Sequence, residues 1–204
     1  DGEKVLNPVY RNILLLLPKA TKASQVSIDV MQKKWIDAFE AGANWYAAFS
    51  AAISVNDTKR AASVVKSWAA AGFKSEGTLF FARAGLYLFA EKSREIAASF
   101  VKESAPHVKG CSANATRINN ACWHAVEMLA DIVNSDSIDD KVAFTFVADK
   151  YRKVLQTADS KLGPFFDRAG SKHFGVSPKA DPNAINPMMM LSQMMGMGGG
   201  AAAP

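Results

Sequence analysis

Three side chains at helical spacing are the first candidates for chemistry in this chain. His124, Glu127 and Asp131 lie three and four residues apart, so on a helix they could ligate a metal ion. A di-iron bundle needs paired Glu side chains and Glu-x-x-His motifs from facing helices, whereas here a single motif occurs in the order His-x-x-Glu. On a helical wheel the three side chains also lie about 120° or more from the apolar face. We therefore expect them to point to solvent, without a metal or another cofactor.

Motifs of the common catalytic sites are missing from the sequence. There is no Gly-rich phosphate loop, no Gly-x-Ser-x-Gly turn and no Cys-x-x-Cys pair. Cys111 and Cys122 would lie about 16 Å apart on one helix, which is too far for a disulfide. They could bond only if Cys111 lay in a loop that folds back, and two reduced thiols are the preferred interpretation. The sequence predicts a protein that is not an enzyme.

The candidates for binding are one tryptophan and a methionine-rich tail. Trp123 lies about 120° from the centre of its helix's apolar face, which predicts an exposed aromatic anchor; packing against a neighbouring helix or the tail is the alternative. Residues 182–204 carry no charge and hold six of the chain's eight Met residues. Met-rich surfaces adapt to irregular apolar partners, although a low-complexity end is the alternative. The predicted partner-binding residues are Trp123, Met188, Met189, Met190, Met194, Met195 and Met197.

Apolar residues at helical spacing predict the elements that carry these side chains. The expected helices are residues 21–53, a shorter helix from Asp57 to residue 71, and residues 75–103, 112–133 and 137–162. Asp57, Ser75 and Ser137 are the expected N-caps, and Gly163-Pro164 is the expected stop of the last helix. Residues 78–90 hold one charge, Arg83. A helix that is apolar all round either lies centrally or leaves a patch for a partner.

These elements predict an all-α fold, an up-and-down four-helix bundle with one extra short helix and extended N- and C-terminal arms. The expected division is an N-terminal arm at 1–20, the bundle at 21–163 and a Met/Gly-rich C-terminal arm at 164–204. The net charge of +5 comes from 24 basic and 19 acidic residues that are interspersed, which gives no strong nucleic-acid signal. The longest uncharged helical stretch, residues 41–56, is shorter than the roughly 20 residues of a transmembrane span.

One segment has a family resemblance. Ala148-Asp149-Lys150-Tyr151, with Leu162-Gly163 at the helix end, resembles the last helix of the extrinsic PsbQ-type proteins of photosystem II. Those proteins are basic four-helix bundles of the thylakoid lumen, imported and cleaved to a mature form. The resemblance implies a role in docking to and stabilising a photosynthetic membrane complex. The start at Asp1 is consistent with a trimmed chain or a mature form.

The leading hypothesis is a non-catalytic accessory subunit of a large organellar membrane complex, with a photosynthetic complex as the first choice. It would bind protein subunits of that assembly in the thylakoid lumen or at the membrane periphery, and a mitochondrial accessory subunit would look the same. Two other classes stay open: a helical-bundle coat protein of a filamentous or rod-shaped RNA virus, and a chaperone-like module that binds apolar segments through the Met-rich tail. The sequence leaves open the complex, the oligomeric state and any contact with pigments or lipids.

Overall fold

The computed structural model describes residues 22–135 and 139–176, with side chains from residue 30 onward. These residues form eight α-helices and no strand. The helices are α1 (Lys22–Ala41), α2 (Trp45–Ser54), α3 (Thr58–Ala71), α4 (Gly77–Glu91), α5 (Arg94–Cys111), α6 (Arg117–Asn134), α7 (Asp140–Ala158) and α8 (Leu162–His173). A 3-10 turn, Lys74–Glu76, precedes α4. The predicted all-α fold class is confirmed, and no helix in this part of the chain is long and apolar enough to cross a membrane.

The helices pack as a bundle around α4. Each helix contacts the next along the chain, and α4 contacts α3, α5, α6 and α8. Four of them, α4, α6, α7 and α8, close a ring in which each contacts two others. This central position explains why residues 78–90 are apolar in nearly every direction, because a helix surrounded on several sides buries most of its surface.

The first long helix of the prediction is two helices. The predicted range 21–53 is interrupted by a turn in which Ala43 has a left-handed φ of 54°. Asn44 then caps α2, since its side chain accepts a hydrogen bond from the Ala47 amide at 3.2 Å. Gly42 and Asn44 are residues that favour a turn and a cap, so α1 and α2 form a hairpin instead of one helix.

The third predicted helix, residues 75–103, is also two helices. Ser75 lies in the 3-10 turn and does not cap α4. Ser93 caps α5 instead, accepting from the Ile96 amide at 3.4 Å, and α5 continues through Pro106 to Cys111. The loss of one helical hydrogen bond at Pro106 does not end a helix that is held on one side by buried Phe100, Val101 and Val108.

Three predicted helix starts can be compared with the structure. Asp57 caps α3 as predicted, accepting from the Arg60 amide at 2.9 Å. The helix predicted from residue 112 begins at Arg117, where the Thr116 hydroxyl accepts from the Asn119 amide at 3.2 Å. The predicted cap Ser137 lies outside the described residues, and α7 is capped by Asp139.

The helical part of the chain continues past the predicted boundary at residue 163. Helix α8 lies in the range that was predicted as an extended arm. Gly163 and Pro164 occupy its first turn, where a missing backbone N–H removes no helical hydrogen bond. The α8 residue Phe166 is fully buried and stacks on Phe144 at 4.8 Å between ring centroids. Residues 1–20 and the rest of the predicted C-terminal arm from 177 lie outside the described residues.

Candidate protein-interaction surface

Helix α4 leaves one narrow stripe of its surface uncovered. The residues between Gly77 and Ala90 are buried except at three positions, and the stripe continues to the helix end. Its members follow one another at intervals of three and four residues, which is one face of a helix. They are Phe80, Arg83, Tyr87 and Glu91. The sequence allowed either a central position for this apolar helix or an uncovered patch on its surface. Helix α4 has both.

Aromatic rings from three neighbouring helices line this stripe. Trp68 of α3 packs on Phe80, with ring centroids 5.6 Å apart. Phe165 of α8 meets Tyr87 edge to face at 5.9 Å, and Tyr46 of α2 is a close enough neighbour of the Tyr87 phenol to raise its pKa. We call the surface formed by these five residues the aromatic groove. Its floor is α4 and its walls are α2 and α3 on one side and α8 on the other.

The two charges of the α4 stripe are both paired with the C-terminal helical hairpin. Arg83 Nε lies 2.8 Å from Asp159 Oδ2 in the turn between α7 and α8. Glu91 pairs with Arg168 of α8. The two pairs follow one another in the same order along both elements, so α8 runs parallel to α4. Because Arg83 and Glu91 are both paired within the chain, the aromatic rings are the part of the groove that is available to a partner.

A cavity opens at the α2 end of the aromatic groove. Its volume is about 590 Å³. Tyr46 and Trp68 belong to both the cavity and the groove, and Tyr46 is 61% exposed. The remaining lining residues come from α1, α2 and the turn between them: Ala38, Phe39, Gly42, Ala43, Asn44 and Trp45. Apolar pockets of roughly 300–1,000 Å³ are the usual size of a binding site.

The environment of Tyr87 keeps its phenol neutral. Burial raises the pKa of Tyr87 above its usual value, and the neighbouring Tyr46 and Glu91 raise it further. A neutral phenol both donates and accepts a hydrogen bond. The groove therefore combines apolar ring faces with hydroxyl groups, which is the combination that makes aromatic residues frequent at protein interfaces.

Trp123 does not lie on the surface, so the prediction of an exposed anchor is wrong. Its side chain is 3% exposed and meets Phe81 of α4 edge to face at 6.1 Å. Helix α6 contacts α4, α5 and α7, so its buried arc is wider than a single apolar face. Its indole Nε1 is buried with no hydrogen-bond partner among the described residues. Trp123 is a core residue of the bundle.

The predicted metal candidates lie along α6 without forming a site. His124 is exposed and its Nδ1 lies 2.6 Å from the Tyr151 hydroxyl, which joins α6 to α7. Asp131 is exposed and Glu127 is half-buried. No group of three or more His, Cys, Asp or Glu side chains in the described part of the chain could hold a metal ion. His124, Glu127 and Tyr151 instead help to line an open cavity of about 630 Å³ between α5, α6 and α7.

Both cysteines are free thiols. Cys111 ends α5 and Cys122 is buried in α6. Burial raises the pKa of both thiols, that of Cys122 to about 11. Since the thiolate is the reactive form, neither residue is an activated nucleophile. The six predicted tail residues Met188, Met189, Met190, Met194, Met195 and Met197 lie outside the described residues.

The described residues thus define a helical protein whose candidate site is a surface for another polypeptide. The family model of Golgi to ER traffic protein 4 matches residues 37–196, which is more than half of the 204 residues. The chain belongs to this family. No curated protein and no solved structure matches the chain significantly. The matched range includes α2–α8, and therefore the whole aromatic groove, and extends to residue 196 in the methionine-rich tail.

The family membership overturns the functional predictions made from the PsbQ-type resemblance. The short match around Ala148–Tyr151 covers about 15 residues, whereas the family model matches 37–196. A photosynthetic accessory subunit, a mitochondrial subunit and a viral coat protein are therefore wrong, as are the thylakoid lumen and the mitochondrion as locations. The segment resembles PsbQ-type proteins because both are amphipathic helices of a basic bundle, and such a pattern recurs in unrelated families.

Two predictions are supported by the family. Its members are non-enzymatic subunits of a targeting complex, which confirms the prediction that the protein is not an enzyme. They act together with other proteins, so the prediction of protein partners is confirmed at that level, while the predicted membrane-associated assembly is not. The aromatic groove was not predicted from the sequence, because the spacing of Phe80, Arg83, Tyr87 and Glu91 places them on one face of a helix without showing that this face stays uncovered.

Proposed function

We propose that this protein is a non-enzymatic subunit of a cytosolic complex that delivers tail-anchored membrane proteins to the endoplasmic reticulum. The observation that carries the proposal is the family match over residues 37–196. Tail-anchored proteins have one apolar helix at the C-terminus, which must be shielded until it reaches the membrane. A subunit without catalytic groups contributes to this by holding other proteins of the complex in place.

We propose that this subunit binds another protein of the complex through the aromatic groove. Its rings come from α2, α3, α4 and α8, so the scaffold holds them in fixed positions. Rigid aromatic residues lose little conformational entropy on binding and anchor many interfaces. The predicted partner-binding role of the tail methionines remains a proposal.

The proposed function is tested in an extract of the source cells that is depleted of this protein. A tail-anchored client is translated in the extract and its insertion into added endoplasmic reticulum membranes is measured. Insertion should fall on depletion and recover when the full chain is added back. A client with an N-terminal signal sequence serves as the control and should insert equally well throughout. Undiminished insertion of the tail-anchored client after depletion would contradict the proposal.

A further inference from the structure

We propose that the methionine-rich segment 188–197 of this chain docks into its own aromatic groove and competes there with the partner protein. The competition with a partner rests on the proposed function, whereas the docking itself does not. The basis is the juxtaposition of three features: where the described chain ends, how far the following residues reach, and what the groove presents.

The described chain ends beside one end of the groove. At the C-terminus of α8, Lys172 Nζ donates to the backbone oxygens of Ala90 at 3.3 Å and Lys92 at 2.9 Å. His173 Nε2 lies 2.7 Å from the Phe89 oxygen. These contacts fix the end of α8 against the carboxyl end of α4, where Glu91 closes the stripe. Val176, the last described residue, therefore follows by three residues a helix end that lies beside the groove.

The length of the following chain suffices to reach along the groove. Eleven residues, 177–187, separate Val176 from Met188, and an extended chain of that length spans up to roughly 36 Å. The stripe from Phe80 to Glu91 covers eleven helical steps, or about 16 Å. Ten residues such as 188–197 span about 15 Å if helical and about twice that if extended. The segment can thus lie along the stripe without strain in the connection.

The chemistry of the segment matches that of the groove. Residues 182–204 carry no charge, and the groove charges Arg83 and Glu91 are already paired with Asp159 and Arg168. What remains is a row of aromatic rings and an adjoining cavity of about 590 Å³. Methionine sulfur makes favourable contacts with aromatic rings, and the unbranched side chain fits irregular apolar cavities. An uncharged segment with six methionines therefore suits this surface.

A second exposed apolar site lies within the same reach. Val142 and Phe146 of α7 are each 66% exposed, and α7 also lies near the chain end because Phe174 stacks on Phe144 at 4.9 Å. These two side chains lie one turn apart on a single helix. The groove offers five rings from four helices, so it is the proposed site, and Phe146 supplies a matched control.

The experiment is methyl NMR of the full chain labelled with ¹³C at the methionine methyl groups. Docking places the tail methyls over aromatic rings, so several of their proton resonances should lie upfield of free methionine. Tyr46→Ser should move them toward the free position, whereas Phe146→Ser should leave them in place; these side chains are 61% and 66% exposed. Met31 on α1 and Met128 on α6 report whether each variant keeps its fold.

Three results would overturn the proposal. The tail methyls of the unaltered chain could resonate at the free position, which would exclude docking. Their shifts could respond to Phe146→Ser and not to Tyr46→Ser, which would place the segment on α7. They could also return to the free position on dilution, which would mean that the segment binds a second copy of the chain. Because no partner or client is present, these results are independent of the test of the proposed function.

Discussion

Arg83 at the middle of α4 and Asp159 in the turn before α8 form a 2.8 Å ion pair. The pair ties the central helix to a helix that begins only three residues later, and so fixes one wall of the aromatic groove. Burial by itself raises the pKa of Asp159, but hydrogen bonds from the Lys161 amide and Arg83 outweigh it, so the pKa lies below its usual value. The ionised carboxylate is therefore stabilised in the fold.

Removing this ion pair should loosen α8. We expect Asp159→Asn to lower the free energy of unfolding by about 1 kcal/mol, because the pair is only partly shielded from solvent. That corresponds to a loss of roughly 2–4 °C in Tm for a chain of this size. Glu95→Gln is the control, since Glu95 is 71% exposed beside Arg94. Equal melting temperatures of Asp159→Asn and the unaltered chain would show that the pair does not hold α8.

The contact between α4 and α6 depends on a glycine. A Cβ added at Gly85 would lie 2.6 Å from Cγ1 of Val126, so Gly85→Ala should force the two helices apart and cost about 1–3 kcal/mol. Gly110→Ala is the matched control, because no atom lies within 4 Å of its added Cβ and alanine favours a helix by up to about 1 kcal/mol. Urea unfolding should show a lower free energy of unfolding for Gly85→Ala and a higher one for Gly110→Ala. If neither variant were destabilised, the close contact between α4 and α6 would be contradicted.

Truncation of Trp123 should cost far more stability than truncation of Tyr46. Trp123 is 3% exposed and Tyr46 is 61% exposed. Trp123→Ala should lower the free energy of unfolding by about 3–5 kcal/mol, whereas Tyr46→Ser should change it by about 0.5 kcal/mol. Chemical denaturation followed by circular dichroism measures both. If Trp123→Ala left stability unchanged, the indole would be a surface residue as the sequence suggested.

Two histidines should make stability fall as the solution becomes acidic. Burial is the largest cause that lowers the pKa of His173 and of His107, with Lys172 and Lys66 adding to it. The unfolded chain therefore takes up protons first, near the usual pKa of 6.5. The contribution of these two neutral histidines to the free energy of unfolding is fully present above that pH. It is lost as the pH falls from 6.5 through the lower pKa values of the folded state.

The pH dependence is measured as Tm between pH 8 and 5. The double variant His107→Gln/His173→Gln should lose part of the decline below pH 6.5, while its Tm at pH 8 provides the reference for any direct effect on folding. An undiminished decline in the double variant would mean that other groups cause it.

Local signals predicted much of the helical structure, and contacts between distant elements accounted for the failures. Asp57 was recognisable as a cap because its side chain acts within three residues. Phe144, Val147, Tyr151 and Leu155 follow one another at helical spacing in the sequence and are all buried in α7. Ile118 lies four residues before the buried Cys122, a spacing that indicates one helix face, but it is 44% exposed because it lies in the first turn of α6.

The aromatic groove was beyond reach of the sequence for a physical reason. Gly163-Pro164 is equally compatible with the end of one helix and the first turn of the next, and only the burial of Phe166 against Phe144 decides between them. Without α8, the groove has no second wall. The uncovered stripe of α4 likewise depends on which neighbours cover the other sides of that helix.

The aromatic groove is the proposed surface through which this subunit serves the delivery of tail-anchored proteins. The most direct measurement adds the full chain, its Tyr46→Ser/Trp68→Ala variant or its Phe146→Ser variant back to the depleted extract, each shown to be folded by its melting curve. We predict that the unaltered chain and Phe146→Ser restore insertion of the tail-anchored client, and that Tyr46→Ser/Trp68→Ala restores less than about half of it, as expected on removal of interface anchors. Full restoration by the groove variant would contradict the account.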